Sequence, residues 1–471
     1  MNGNNEFPRI LLRFNRKELS SYIFLLIVLK VLVGFLVAFS LFDLPHVWRE
    51  IDTMAVAMRY FQRWWLGLDA MPLVPAVLNS GGGIGYMPME FPILNIIVAP
   101  WFVLGPYLGK VMACLTLFIC HGLLFYGVVR AYKGIHLAGA DARLAFLLLP
   151  VVGISSVFSL KFIPDTLATL LVTLGLGLCW KIPKTMGIIL MGLGILIKPP
   201  AVVVLLLCLA KDDFLAYFKR YFYYGIPILL PAGLYYTMGI SWLKGLQDGT
   251  GRFFVEMRPP LDALMDFLAL PFEILRLVFD KLLFPFAPIL MVPFFRKKQT
   301  KLLLVLTLQL LTIGLLDGDH AFAHNYYFMG LMPTATLILQ PILWQAFSCF
   351  SKSYHGSLVG KVAGILLFTV FFVSGLERLS FQARAFFVDV PPQRAASFAA
   401  CEQLKRDLPD LPWDQNFGFM TNPHPYPRLG VCFGERVGFA TAKFGFYTVD
   451  ETVPHGCQSL GEREGVMVVG C

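Results

Sequence analysis

Charge is scarce in this chain. Only 15% of its 471 residues are Asp, Glu, Lys or Arg, while 57% are hydrophobic. Soluble domains carry about 25% charge. The shortage, with a mean hydropathy of +0.68, excludes a soluble globular enzyme, a disordered chain and a nucleic-acid-binding domain. Segments that alternate apolar and polar residues are also missing, which excludes a transmembrane β-barrel. There is no internal repeat and no low-complexity run. No small-residue cleavage site follows the first apolar run, so that run is expected to be a retained span and not a signal peptide. No Lys-Ser/Thr follows Gly81-Gly82-Gly83. The run is therefore not a P-loop, and reads as a hinge or as a backbone nest for phosphate.

What is present is apolar and continuous. Eleven runs are candidates for membrane spans, which need about 17–25 residues as helix. They are Tyr22–Phe42, Leu108–Val129, Leu144–Leu160, Thr166–Trp180, Met186–Ile197, Ala201–Ala210, Tyr221–Tyr236, Ile274–Phe295, Leu302–Leu316, Tyr326–Phe347 and Leu358–Leu376. Several are short, as in helices that reach into the interface or break at proline. The composition predicts an α-helical polytopic membrane protein.

The net charge of +9 fits the excess of Lys and Arg in cytoplasmic loops. Eighteen basic residues fall in clusters on one side of the alternating spans, beginning with Arg9, Arg13, Arg16 and Lys17. Nine lie on the other side, among them Lys161, Lys198, Arg252 and Arg258. This alternation holds without a break only if the further run Phe91–Leu104 does not cross. It is therefore expected as a juxtamembrane or re-entrant helix, with the N-terminus inside and the C-terminus outside. Residues 1–376 then form the membrane module, with external segments at 43–105 and 241–273. Residues 377–471 form a small extracytoplasmic α/β domain.

Cysteine placement agrees with that division. Cys114, Cys120, Cys179, Cys208 and Cys349 lie in or beside apolar runs and are expected as free packing residues. Cys401, Cys432, Cys457 and Cys471 all lie in the tail. Four cysteines in a small domain outside the cytoplasm read as a disulfide framework. Three pairings are open. A zinc site is the alternative, and the tail has no Cys-x-x-Cys knuckle to support it.

Charged groups at the outer ends of spans are costly and call for a role. Glu50 and Asp52 follow the first span, ahead of an amphipathic stretch through Trp65. Asp52 reads either as a helix N-cap or as a carboxylate held at the membrane surface as base or metal ligand. Glu90 stands in Met87-Pro88-Met89-Glu90-Phe91-Pro92, a segment that ends one element and opens another. Asp165 follows Pro164, as at an ordinary helix start, at an outer mouth. Lys198 precedes Pro199-Pro200, also on the outer side. No acidic residue stands within four positions of it, so no local helix pair accounts for its charge. It reads as a snorkelling lysine or as a point charge for a lipid phosphate, which would supply the missing countercharge. Arg252 and Arg258 could contact an anionic headgroup. The densest polar cluster is Asp317 to Tyr327. Within it, His320 and His324 would share a helix face as metal ligands do, but no third ligand is evident. His121, inside a span, reads as a packed polar residue.

The order of these elements resembles the GT-C superfamily of membrane glycosyltransferases. The nearest branch is that of the protein O-mannosyltransferases and lipid A aminoarabinose transferases. The resemblance rests on Arg49-Glu50-Ile51-Asp52, Met87 to Leu94, Pro164-Asp165, Gly192 to Pro200, and His324-Asn-Tyr326-Tyr327 ahead of Leu331-Met-Pro333. It covers roughly residues 20–345. It implies transfer of a sugar from a polyprenyl-phosphate donor to an acceptor hydroxyl on a glycan, lipid or protein. It also implies an extracytoplasmic active site in the plasma (inner) membrane and inversion at the anomeric carbon. Asp52 would be the general base, with Glu50 the other acidic candidate, because this chain spaces its two acids by one residue where the mannosyltransferases have them adjacent. Lys198, Arg252 or Arg258 would stabilise the leaving phosphate. Asp165 would orient the acceptor or a divalent metal. Glu90, His320, His324 and Tyr326 are candidates for substrate binding. The family's metal dependence varies, so no metal is assigned.

A lipid transporter or flippase is the competing reading. Transporters build paired repeats around ionisable groups at mid-membrane, whereas the polar residues here gather at the outer mouths of the runs.

Overall fold

In the computed structural model, the described residues are chiefly 86–131, 161–179, 184–210, 222–239, 297–348 and 358–384. Part of a helical stretch at 53–61 and seven β-strands are described as well.

Helices form where the sequence is continuously apolar. Helix α1, Ile93–Val98, runs directly into a 3₁₀ helix, Ala99–Leu104. Together they rise about 21 Å at the usual 1.5 and 2.0 Å per residue, short of a hydrocarbon core of about 30 Å. Helices α2 (Pro106–Ala131), α3 (Asp165–Cys179) and α4 (Thr185–Ile197) follow. Helix α2 begins at Pro106, where a proline costs no hydrogen bond. The run at Ala201 is a 3₁₀ helix, Pro199–Ala210. Helix α5 (Gly225–Leu234) passes into a π-helical turn, Tyr235–Gly239. Helix α6 (Lys297–Ala323) continues past Leu316 through the Asp317–Ala323 cluster. The Tyr326 run divides into a 3₁₀ helix, Asn325–Leu331, and helix α7, Met332–Ser348. Helix α8, Leu358–Arg384, crosses the boundary expected after residue 376. Nothing in the Glu377-Arg378-Leu379 segment breaks a helix, so the polar turn continues the apolar one.

Among the described residues no helix is long and apolar enough to cross a membrane. The eleven expected crossings rest on the full sequence.

Small residues set the packing of α3 on α4. A Cβ on Gly194 would meet the Ala168 carbonyl at 2.6 Å, and one on Gly175 the Gly187 carbonyl at 2.5 Å. The two contacts share one antiparallel register, which sets Asp165, at the start of α3, level with Ile197 at the end of α4. The buried core gathers Leu94, Leu117, Phe162, Ile197, Val204, Phe328, Leu331 and Leu339 from seven different segments. Gln309 on α6 donates to the Val203 carbonyl at 2.9 Å, joining α6 to the 199–210 helix. His121 is fully buried on α2, as a packed polar residue should be.

Two sheets complete the fold. Strands β1 (Leu73–Pro75) and β2 (Tyr86–Pro88) form an antiparallel ribbon in the segment between the first two apolar runs. The glycine run lies between them, outside the described residues. In the tail, β3 (Phe417–Phe419), β4 (Val437–Phe439), β5 (Phe444–Thr448), β6 (Gln458–Arg463) and β7 (Val466–Gly470) make a mixed sheet of order β4-β3-β5-β7-β6. Strand β1 packs against β4, so the tail meets this ribbon.

Cys114, Cys120, Cys179 and Cys208 are free thiols, as expected of packing residues. Cys349, Cys401, Cys432, Cys457 and Cys471 lie outside the described residues.

Candidate active site

Lys198 is placed by the residue after it. A residue before proline is pushed out of the α region, and Lys198 is extended, with φ −147° and ψ 105°. Helix α4 therefore ends at Ile197. The Lys198 backbone N–H still donates to Gly194, at 3.1 Å, and its carbonyl accepts from Ala201, at 3.0 Å. The break turns the lysine off the helix axis at the level of Asp165.

Its ammonium does not await a countercharge from a ligand. Nζ donates to Glu90 Oε1 at 2.5 Å across 108 residues of sequence, with side chains 7% and 16% exposed. This corrects the expectation of an unpartnered lysine. Spacing rules for ion pairs see only neighbours on one helix, whereas Glu90 arrives from the turn ahead of α1. The same ammonium lies over two rings, 4.6 Å from the Tyr327 centroid and 5.4 Å from that of Tyr326. These rings meet edge-to-face at 5.0 Å. Cation–π attraction of this kind adds about 0.5–2 kcal/mol. Together the carboxylate and the rings hold the ammonium in a largely buried position.

Neighbouring aromatics fix the surround. Phe91 packs edge-to-face on Tyr235 at 5.1 Å, and Tyr235 on Tyr236 at 5.1 Å. The Tyr236 hydroxyl donates to the Ile197 carbonyl at 3.0 Å, which ties the π-helical turn to the residue before Lys198. Tyr326 is only 2% exposed and so forms a floor to the lysine. Gly330 belongs to the same close packing, since a Cβ there would meet Val203 at 2.8 Å.

Asp165 is buried at the start of α3, with Lys161 buried one turn earlier. Ala168 donates to the Pro164 carbonyl at 3.0 Å, which opens the helix. On α1, Asn95 donates through Nδ2 to the Thr53 carbonyl at 2.7 Å. Thr53, Met54, Val56 and Ala57 are buried. The chain immediately after Asp52 is thus held against α1, five residues from Glu90.

The structure brings Glu90, Lys198 and Tyr326 together, and sets Asp165 at the same end of the α3–α4 pair. Glu50, Asp52, Arg252, Arg258 and His324 lie outside the described residues. His320 falls within α6. Among the described residues no three His, Cys, Asp or Glu side chains gather as metal ligands do. Sequence reasoning did not find Asn95 or Tyr327 as parts of the site. Tyr327 stood inside a quoted motif, and its pairing with Tyr326 beside a lone lysine was the available signal. Asn95, one polar residue in an apolar helix, was a second.

Neither a protein-family model nor a curated protein matches the sequence. Solved structures do. ArnT from Cupriavidus metallidurans aligns in its complex with undecaprenyl phosphate at TM-score 0.53 and 11% identity, covering 96% of this chain and 98% of that one. Its apo form aligns with the same TM-score and coverage at 12% identity. An Archaeoglobus fulgidus oligosaccharyltransferase gives TM-score 0.46 and 11% identity over 88% of this chain and 64% of its own. At such identities the likeness to ArnT establishes architecture, and over nearly its whole length this chain has the ArnT fold, the fold implied by its sequence resemblance to GT-C transferases.

Proposed function

We propose that the protein is a membrane glycosyltransferase that takes a sugar from a polyprenyl-phosphate donor on the extracytoplasmic face. The observation that carries this reading is the Lys198 site at the proline-broken end of α4, within a fold shared with a protein solved bound to undecaprenyl phosphate. Fold alone does not assign chemistry. The reading adds a fixed cation at the mouth of an apolar module, with Asp165 at the same level.

Residence in a membrane is supported by composition and by the outer faces of the helices. Ile119 and Leu123 on α2, and Val362 and Leu366 on α8, are large apolar side chains about half exposed and spaced one turn apart. A water-facing surface rarely carries such stripes.

In the proposed reaction the bond between the anomeric carbon and the donor phosphate oxygen breaks, and a bond to the acceptor oxygen forms on the opposite face. Asp52 takes the acceptor's proton. The lipid phosphate leaves with the electron pair, and Lys198 gains a second anionic partner beside Glu90, with Arg252 and Arg258 as further candidates. Asp165 orients the acceptor.

The test uses purified protein in detergent with undecaprenyl phosphate as probe, followed by native mass spectrometry. Wild type should retain one lipid. Lys198→Met should lose it, while Lys198→Arg keeps part of the binding. Equal retention by wild type and Lys198→Met would defeat the phosphate role of Lys198.

A further inference from the structure

We propose that Tyr236 is a positioning residue for Lys198, and that the π-helical turn carrying it aligns the two halves of the Glu90–Lys198 pair. The proposal rests on the donor-phosphate reading of that lysine and names what holds the cation in place for it.

Pro199 and Pro200 leave the end of α4 short of hydrogen-bond donors. In a continuous helix the carbonyls of Ile195 and Leu196 would accept from residues 199 and 200, but proline has no N–H. The Ile197 carbonyl would accept from Ala201, whose N–H goes instead to the Lys198 carbonyl at 3.0 Å. Leaving a backbone carbonyl unmatched in an apolar module is costly. Tyr236 supplies the donor, with its hydroxyl 3.0 Å from the Ile197 carbonyl. The peptide group joining Ile197 to Lys198 is thereby held at both ends, because its N–H donates to Gly194 at 3.1 Å. This is the peptide at which the backbone passes from helical to extended. A lysine stem is long and flexible, so its ammonium is only as fixed as the backbone it leaves and the groups it meets.

Register brings Tyr236 to this place. A Cβ on Gly192 would lie 3.4 Å from the Pro227 carbonyl and 3.5 Å from that of Ile228, so α4 and α5 touch there. Ile197 and Tyr236 meet further along both, so the two helices run in the same direction. Counting equally from Gly192 and Ile228 sets Ile197 level with Gly233, and Tyr236 stands about one turn beyond. Helical side chains lean toward the N-terminus, which carries the phenol back to the level of Ile197.

Tyr235 serves the other partner. Its ring meets Tyr236 at 5.1 Å and Phe91 at 5.1 Å, and Phe91 directly follows Glu90. One turn of helix therefore touches the residue before the lysine and the residue after the carboxylate, although the two charges are 108 residues apart. Turns of this π type are rare and recur at functional sites.

The test times the acetylation of individual lysines by acetic anhydride, read by mass spectrometry, on full-length protein in detergent without added lipid. Lys110 and Lys161, also buried, are internal controls. Tyr236→Phe keeps the ring and removes only the donor. Lys198 should then react roughly three- to tenfold faster than in wild type, the factor of one neutral hydrogen bond, while Lys110 and Lys161 keep their wild-type rates. With 4-aminophenylalanine in place of Tyr236 a para N–H donor returns, and Lys198 should return to the slow rate; 4-methylphenylalanine should not restore it. Unchanged labelling of Lys198 in Tyr236→Phe overturns the proposal. So does faster labelling of all three lysines, which marks general loosening, or failure of the amino variant to restore the slow rate. Titration with undecaprenyl phosphate separates this proposal from the reading beneath it. If wild type binds the lipid and Lys198→Met does not, Tyr236→Phe should bind it more weakly by the same factor, and equal affinity would overturn the positioning role alone. If wild type and Lys198→Met bind alike, the phosphate reading falls, and the labelling still decides whether Tyr236 holds the lysine.

Discussion

Removing Glu90 while keeping Lys198 isolates what their pairing contributes. Breaking a buried ion pair from one side costs about 3–5 kcal/mol, because the remaining charge is left uncompensated. Here the side chains are 7% and 16% exposed, so some water reaches the pair and the lower end applies. Glu90→Gln should therefore destabilise the fold by about 3 kcal/mol. The two tyrosine rings remain, and they soften the loss by holding the ammonium. Lys198→Met alone leaves a carboxylate without its cation and should cost a similar amount. The double variant removes both charges and should lose much less than the sum. The coupling expected from a denaturant-unfolding cycle in detergent is about 2–3 kcal/mol, the upper part of the range for residues in contact. Additivity of the two single variants to within about 0.5 kcal/mol would refute the reasoning and mean that the pair contributes little.

Two further predictions concern the scaffold. Asn95→Ala removes the side-chain hydrogen bond to the Thr53 carbonyl, at a cost of about 0.5–1.5 kcal/mol, and should increase proteolysis near residues 53–61; cleavage rates equal to wild type would argue against this anchor. Gly194→Leu drives a side chain into the Ala168 carbonyl and Val172. It should part α3 from α4 and lower yield and melting temperature sharply, whereas Gly233→Ala, where a Cβ meets nothing within 4 Å, should be nearly silent.

Much of the helical layout was legible in the sequence, because apolar runs and their breakers act locally. Thr166–Trp180 and Met186–Ile197 lie within a residue of helices Asp165–Cys179 and Thr185–Ile197. Pro164 and Pro199 mark where those helices start and stop for reasons confined to one or two bonds. Less legible was the kind of helix. Pro199–Ala210 is 3₁₀, although its residues are ones that α-helices also take. The ends of α6 and α8 were missed because polar residues such as Asp317 and Glu377 do not themselves end a helix. The site was half legible. Lys198, Asp165, Glu90 and Tyr326 stood out as polar or aromatic residues at the ends of apolar runs. Their association did not, since Glu90 and Lys198 are 108 residues apart and no periodicity connects them. The short ribbon of β1 and β2 escaped for a similar reason, as ten residues separate strands of only three.

The central claim is that a polyprenyl-phosphate sugar is the donor. Mass spectrometry of lipids that copurify with the protein from its native membrane tests it most directly. The account predicts a polyprenyl phosphate, free or carrying one sugar, enriched over bulk lipid in wild type and depleted in Lys198→Met. Only bulk phospholipid in both preparations, with no prenyl-phosphate species above background, would contradict it.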